Sequence, residues 1–157
     1  MIENLQNFAD SFPVWAQWLG VMLVSAIPFV ESYFGSVIGV AIGLNPVVAI
    51  LVAVIGNVLS MLAFVYGAGA IRDRATKGRE TETSPRRQRL KRMFDKFGVP
   101  GVSLLGQTVL PSQITSMAMV GFGANRNVVA FWQVISIILW GVLFGVLATV
   151  GISVALR

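Results

Sequence analysis

The chain contains no cysteine and no histidine. Without thiols there are no disulfides, zinc–thiolate sites or cysteine nucleophiles. Without imidazole the commonest general base and metal ligand is missing. Charge is scarce as well: charged residues make up 12% of the sequence, where soluble domains carry roughly 25%. This inventory points away from an ordinary active site and gives no indication of a cofactor or a bound metal. An intramembrane enzyme would need a nucleophile or a metal site, and the absence of Cys, His and paired intramembrane acids argues against one. Apolar residues fill 55% of the 157 positions, in long stretches. The class this predicts is an all-α integral membrane protein with one membrane domain spanning residues 1–157.

The charge that is present is unevenly placed. Ten of the twelve lysines and arginines lie between Arg72 and Lys96, a strong positive-inside signal that assigns this loop to the cytoplasm. The basic pI therefore reflects topology, and nucleic acid is not expected as a partner. Residues 1–10 carry Glu3 and Asp10 but no lysine or arginine, which is not the basic start of a signal peptide. Across residues 12–71 the only charged side chain is Glu31. Charge in a bilayer is costly, so such a residue is a functional candidate by default.

Four apolar blocks follow one another. Residues 12–44 are interrupted at 28–32, and residues 98–124 at 111–113, whereas 46–71 and 128–156 are continuous. The continuous blocks are long enough to cross a hydrocarbon core of about 30 Å. The arms of the interrupted ones, at about 18 Å, are not. A re-entrant helical hairpin fits each interrupted block, since broken backbone is tolerated where protein covers it. A full span over residues 13–30 is the competing reading of the first.

An internal repeat connects the blocks. Offset by eighty, residues 31–70 align with 111–150 without a gap and share eleven identities, including Ser32/Ser112, Ser36/Ser116, Gly43/Gly123 and Asn45/Asn125. Roughly three or four would be expected by chance in such a composition. Each repeat (12–71 and 98–156) would be a hairpin plus one transmembrane helix. One crossing per repeat makes the second copy inverted, the architecture of many secondary transporters. The joining segment, 72–97, contains Ser84-Pro85 as a helix start. Leu90, Met93, Phe94 and Phe97 form one apolar stripe, with Gly98 as a stop. Arg86, Arg87, Arg89, Lys91, Arg92 and Lys96 fill the remaining face, as in an amphipathic helix lying on anionic headgroups.

The candidate substrate or ion site gathers around the two breaks. Glu31 is read as a gate or proton-coupling carboxylate, protonated when occluded and released when hydrated, or else as a cap of the half-helix beginning at Ser32. Ser32 and Ser112 occupy equivalent positions, where half-helix N-termini would converge and favour an anion such as a phosphate headgroup. Tyr33, Gln107, Thr108, Pro111 and Gln113 complete the set, with capping and interhelical hydrogen bonding as the structural alternative. Gly35, Gly39 and Gly43 form a small-residue ladder for helix packing. Asn45 and Asn125 read as C-caps of the hairpin arms.

Glu31, the glycine ladder, Asn45-Pro46, Gly56-Asn57, the segment FDKFG at 94–98, Pro111 and the closing helix with Trp140 together resemble the small multidrug export protein family. More distantly they resemble the DedA-type (VTT, SNARE-associated-type) membrane proteins. The resemblance covers about residues 15–150. It implies a membrane-embedded acidic residue in the first hairpin, which falls on Glu31, and proton-motive-force-dependent transport of a lipid carrier such as undecaprenyl phosphate across the bacterial cytoplasmic membrane. It also implies arginines flanking the proline of the second hairpin, where residues 107–113 instead read QTVLPSQ. The expected function is a small secondary transporter or flippase, a homodimer among membrane lipids. It would move an anionic polyprenyl-phosphate-like lipid with proton coupling at Glu31, set between two opposed hairpins. Efflux of amphipathic cations, favoured by the lone carboxylate, and a non-transporting scaffold docking through the basic helix are the alternatives.

Overall fold

Asn45 and Asn125 set where the two long helices begin. In a computed structural model, which describes residues 2–67, 85–106 and 110–155, the Asn45 side-chain oxygen accepts the Val47 N–H at 3.0 Å. Asn125 does the same for Asn127 at 2.9 Å. Both asparagines are therefore N-caps, and the C-cap role expected of them belongs to the glycines two residues earlier. Gly43 and Gly123 adopt φ of 91° and 103°. Gly43 and Leu44 donate back to the carbonyls of Val40 and Gly39, while Gly123 and Ala124 donate to those of Val120 and Met119. This is the Schellman arrangement, which needs a left-handed residue and so favours glycine. A Cβ on Gly43 would meet nothing within 4 Å, so Gly43 is a cap and not the third rung of a packing ladder.

Seven helices account for most of the described residues, and no strand occurs among them. They are α1 (Ile2–Asp10), α2 (Gln17–Ser25), α3 (Glu31–Ala41), α4 (Pro46–Leu62), α5 (Pro85–Gly106), α6 (Ser112–Gly121) and α7 (Arg126–Ala155). A π-turn at Ala63–Gly67 continues α4. Helix α5 bends at Gly98, whose φ is 66°. Pro46–Gly67 and Arg126–Ala155, 22 and 30 residues long, are long and apolar enough to cross a membrane. In contrast, α2 and α3, at about 14 and 16 Å, are each too short to do so.

Burial departs from that of a water-soluble domain. Among the described residues thirteen polar or charged side chains are buried, whereas Leu51, Ile55, Leu59, Leu139, Leu143 and Leu147 stand exposed along the long helices. Only 28% and 22% of the two apolar windows are covered by protein. A soluble core helix would be mostly covered; apolar surface of this extent supports a membrane setting.

The chain forms two units, residues 1–59 with 137–157, and residues 60–136. In the first, α3 is packed through small residues on three helices. Ser25 and Val21 of α2 lie beside Gly35 and Gly39, so α2 and α3 run antiparallel as a hairpin. Ala53 and Ala49 of α4 approach the same two glycines. Gly141 and Gly145 of α7 lie against Ser32 and Ser36, which makes α7 parallel to α3. Close approach of this kind is how helices associate where no hydrophobic force separates protein from lipid. These glycine faces are filled from within the chain. Helix α1, read from sequence only as an acidic terminus, belongs to this unit: Ala9 sits over Gly20, and the Gln17 amide donates to Asp10 at 2.8 Å.

In the second unit the apolar stripe of α5 packs on the unit's own core. Leu90 is fully buried with Val102, Met119 and Val129, and Met93 and Phe94 join them. The expected placement of this stripe on headgroups is thus replaced by intramolecular packing for three of its four members, because the kink at Gly98 folds residues 85–97 back on the hairpin core. Phe97 remains exposed, at 48%. The basic face remains outward, with Arg86, Arg89, Lys91, Arg92 and Lys96 exposed. The Arg87 side chain and residues 72–84 lie outside the description.

Two glycines should respond oppositely to substitution. A Cβ on Gly56 would lie 2.0 Å from the Met22 carbonyl oxygen, a backbone atom. Gly56→Leu should therefore cost at least the 1–3 kcal/mol roughly typical of overpacking. Gly151 has nothing within 4 Å, so Gly151→Ala should be neutral or stabilise by about 0.5–1 kcal/mol. Thermal unfolding in detergent micelles, comparing the two variants with wild type, checks both.

Candidate functional site

The turn between α2 and α3 forces two side-chain-bearing residues into the left-handed region. Phe29 has φ 75° and Glu31 φ 56°, with Val30 between them. Pro28 has no N–H to continue α2. The turn closes instead with Ile27 donating to Val24, and with Val30 and Glu31 both donating to Ile27, at 3.1 to 3.3 Å. Left-handed residues other than glycine cost about 1–2 kcal/mol each. Such strain persists where surroundings over-determine it, and it clusters at functional sites.

Glu31 is the first residue of α3, one position earlier than the expected start at Ser32, and it is fully buried. It is the only buried charged side chain among the described residues. Ser32, also fully buried, donates its hydroxyl to the Ile137 carbonyl of α7 at 2.8 Å. Ser36 donates to the Ser32 carbonyl at 2.6 Å. Tyr33 is half-buried, its ring centroid 5.5 Å from that of Phe144 and its hydroxyl 3.4 Å from the Phe29 carbonyl. The carboxylate, its helix start and the aromatic beside it thus form one group held by α2, α3 and α7 in the first unit.

The second break repeats part of this arrangement in the second unit. Pro111 is the N-cap of α6 with extended ψ of 150°, and neither it nor Val30, the N-cap of α3, makes a side-chain cap bond. Ser112 and Gln113 are fully buried. Ser116 donates to the Ser112 carbonyl at 2.6 Å, as its equivalent Ser36 does to Ser32. Gln113 donates to the Ser60 hydroxyl at 3.4 Å. Pro111, Ser112 and Gln113 therefore lie together, and Glu31, Ser32 and Tyr33 lie together. Gln107 and Thr108 lie outside the described residues.

A further buried polar group lies outside the residues expected from sequence. Ser103, Gln133 and Ser136 are fully buried in the second unit, and Ser136 donates to the Ser103 carbonyl at 2.7 Å. The signal for it is the i, i+3 spacing of Gln133 and Ser136 inside a largely apolar span, which puts both on one helix face.

Relaxing the strained turn should be measurable without touching the carboxylate. Phe29 is 55% exposed, so Phe29→Gly loses little packing and removes a left-handed penalty of about 1–2 kcal/mol. It should raise the unfolding midpoint, whereas the β-branched Phe29→Ile should lower it. Thermal melts of the two variants decide the point.

No protein-family model matches the chain, and no curated protein or solved structure matches it either.

Proposed function

We propose that the chain is a small proton-linked membrane transporter or flippase for an amphiphile, with Glu31 as its switch. The observation that carries this reading is a single carboxylate, fully buried in a chain whose long helices expose apolar faces, at a helix break where Phe29 and Glu31 itself are left-handed. A side chain needed only as a helix cap could be Ser or Thr, without the membrane cost of a carboxyl group. A carboxyl that exchanges a proton as its surroundings open and close has a reason to stand there. On this reading the two hairpins are re-entrant, the repeats are inverted, and the basic segment 72–97 faces the cytoplasm of a bacterial cell. The recurrence of the Schellman turn, the asparagine N-cap and the serine-to-serine bond eighty residues apart supports the repeat.

The favoured substrate is an anionic lipid of the polyprenyl-phosphate kind, because two half-helices begin at N-cap residues, Val30 and Pro111, that make no side-chain cap bond, and helix starts suit anions. A second reading, export of amphipathic cations, draws on Glu31 being the sole buried charge among the described residues.

Purified protein in liposomes, with and without an imposed pH gradient, separates these. A fluorescent polyprenyl-phosphate analogue should move in response to the gradient with wild type and fall to the protein-free rate with Glu31→Gln, while Glu31→Asp keeps a measurable fraction. Gradient-driven movement of a lipophilic dye cation in place of the lipid would select the second reading. Equal rates for wild type and Glu31→Gln with both probes would remove the transport reading.

A further inference from the structure

The second unit buries more hydrogen-bonding capacity than it uses. Neither polar atom of the Gln133 side chain meets a partner among the described residues, and the Ser103 hydroxyl oxygen is in the same state. All three atoms are shut off from solvent. Such groups are normally satisfied in folded proteins, and a cluster of exceptions calls for an occupant. The two residues belong to one helix contact. Ser136 of α7 donates to the Ser103 carbonyl of α5 at 2.7 Å, and Gln133 precedes Ser136 by one turn on the same face. Val102, beside Ser103, and Val129, one turn before Gln133, share the same apolar cluster.

The chemistry of the orphaned atoms narrows the occupant. A glutamine amide brings an acceptor oxygen and two donor hydrogens, and a serine hydroxyl brings both functions. A group that only accepts, or only donates, would leave half of these unmet. No charged side chain is buried in this unit among the described residues, so an ionic occupant would find no countercharge. We propose that Gln133 and Ser103 form an uncharged binding site for a small hydroxyl group. Two sources offer that chemistry: an internal water, or the head of a neutral hydroxyl-bearing amphiphile that reaches the site from lipid. The site shares no residue with the Glu31 group and does not depend on the transport reading.

The test uses the full chain, labelled with nitrogen-15 at glutamine, in deuterated detergent micelles. Magnetisation transfer is read from the Gln133 side-chain amide to water, before and after titration with monoolein, a neutral lipid with two free hydroxyls. A water cross-peak that persists through the titration identifies internal water as the occupant. A water cross-peak replaced by one to the monoolein head identifies the amphiphile. Absence of transfer from either source overturns the proposal. Stability gives an independent check. If Gln133 and Ser103 share an occupant, Gln133→Met and Ser103→Ala should each lower the melting midpoint by roughly 2–4 °C, and the double variant should lose less than their sum. If the site holds nothing, both substitutions remove an unmet polar group and the midpoint should rise.

Discussion

Everything in the first unit depends on how closely α3 can approach its neighbours. An apolar solvent offers no hydrogen bonds and no hydrophobic force between helices, so association rests on van der Waals contact and on polar groups that meet inside. Gly35 and Gly39 admit α2 and α4, and Gly141 and Gly145 admit α3 to α7. Only at that separation can the Ser32 hydroxyl reach the Ile137 carbonyl. The residue before Ser32, Glu31, is left-handed and fully buried.

Each long helix contributes to both units. Residues 46–59 of α4 and 137–155 of α7 serve the first, and residues 60–67 and 126–136 serve the second. Each hairpin is therefore grouped with the beginning of the helix that follows it and with the end of the other. The repeated turn–cap pairs, Gly43 with Asn45 and Gly123 with Asn125, fix where those helices start. That local requirement accounts for two of the identities in the sequence repeat, and the serine pairs 32/36 and 112/116 account for two more.

Much of this could be read from the sequence because the controlling signals are local. Proline breaks, glycine positions, apolar block lengths and the lone Glu31 all survive translation from chain to fold. What escaped the sequence is non-local. Gly43 has the same spacing as a packing glycine, and only its backbone angle reveals a cap. Asn45 lies between two helices, and its role was decided by which N–H its side chain reaches. The stripe Leu90, Met93 and Phe94 marks an apolar face without saying whether lipid or protein covers it; the turn at Gly98 makes it protein. Gln133 and Ser103 are thirty positions apart, and their shared burial depends on how α5 lies on α7.

The most direct test of Glu31 as a switch is proton counting in a weakly buffered micellar solution as amphiphile is added. Wild type should release or take up protons in proportion to the amphiphile bound, and Glu31→Gln should bind it with no proton exchanged. Proton exchange of equal size in both proteins, or binding by wild type with none at all, would show that the buried carboxyl keeps one state throughout and would contradict its role as the switch.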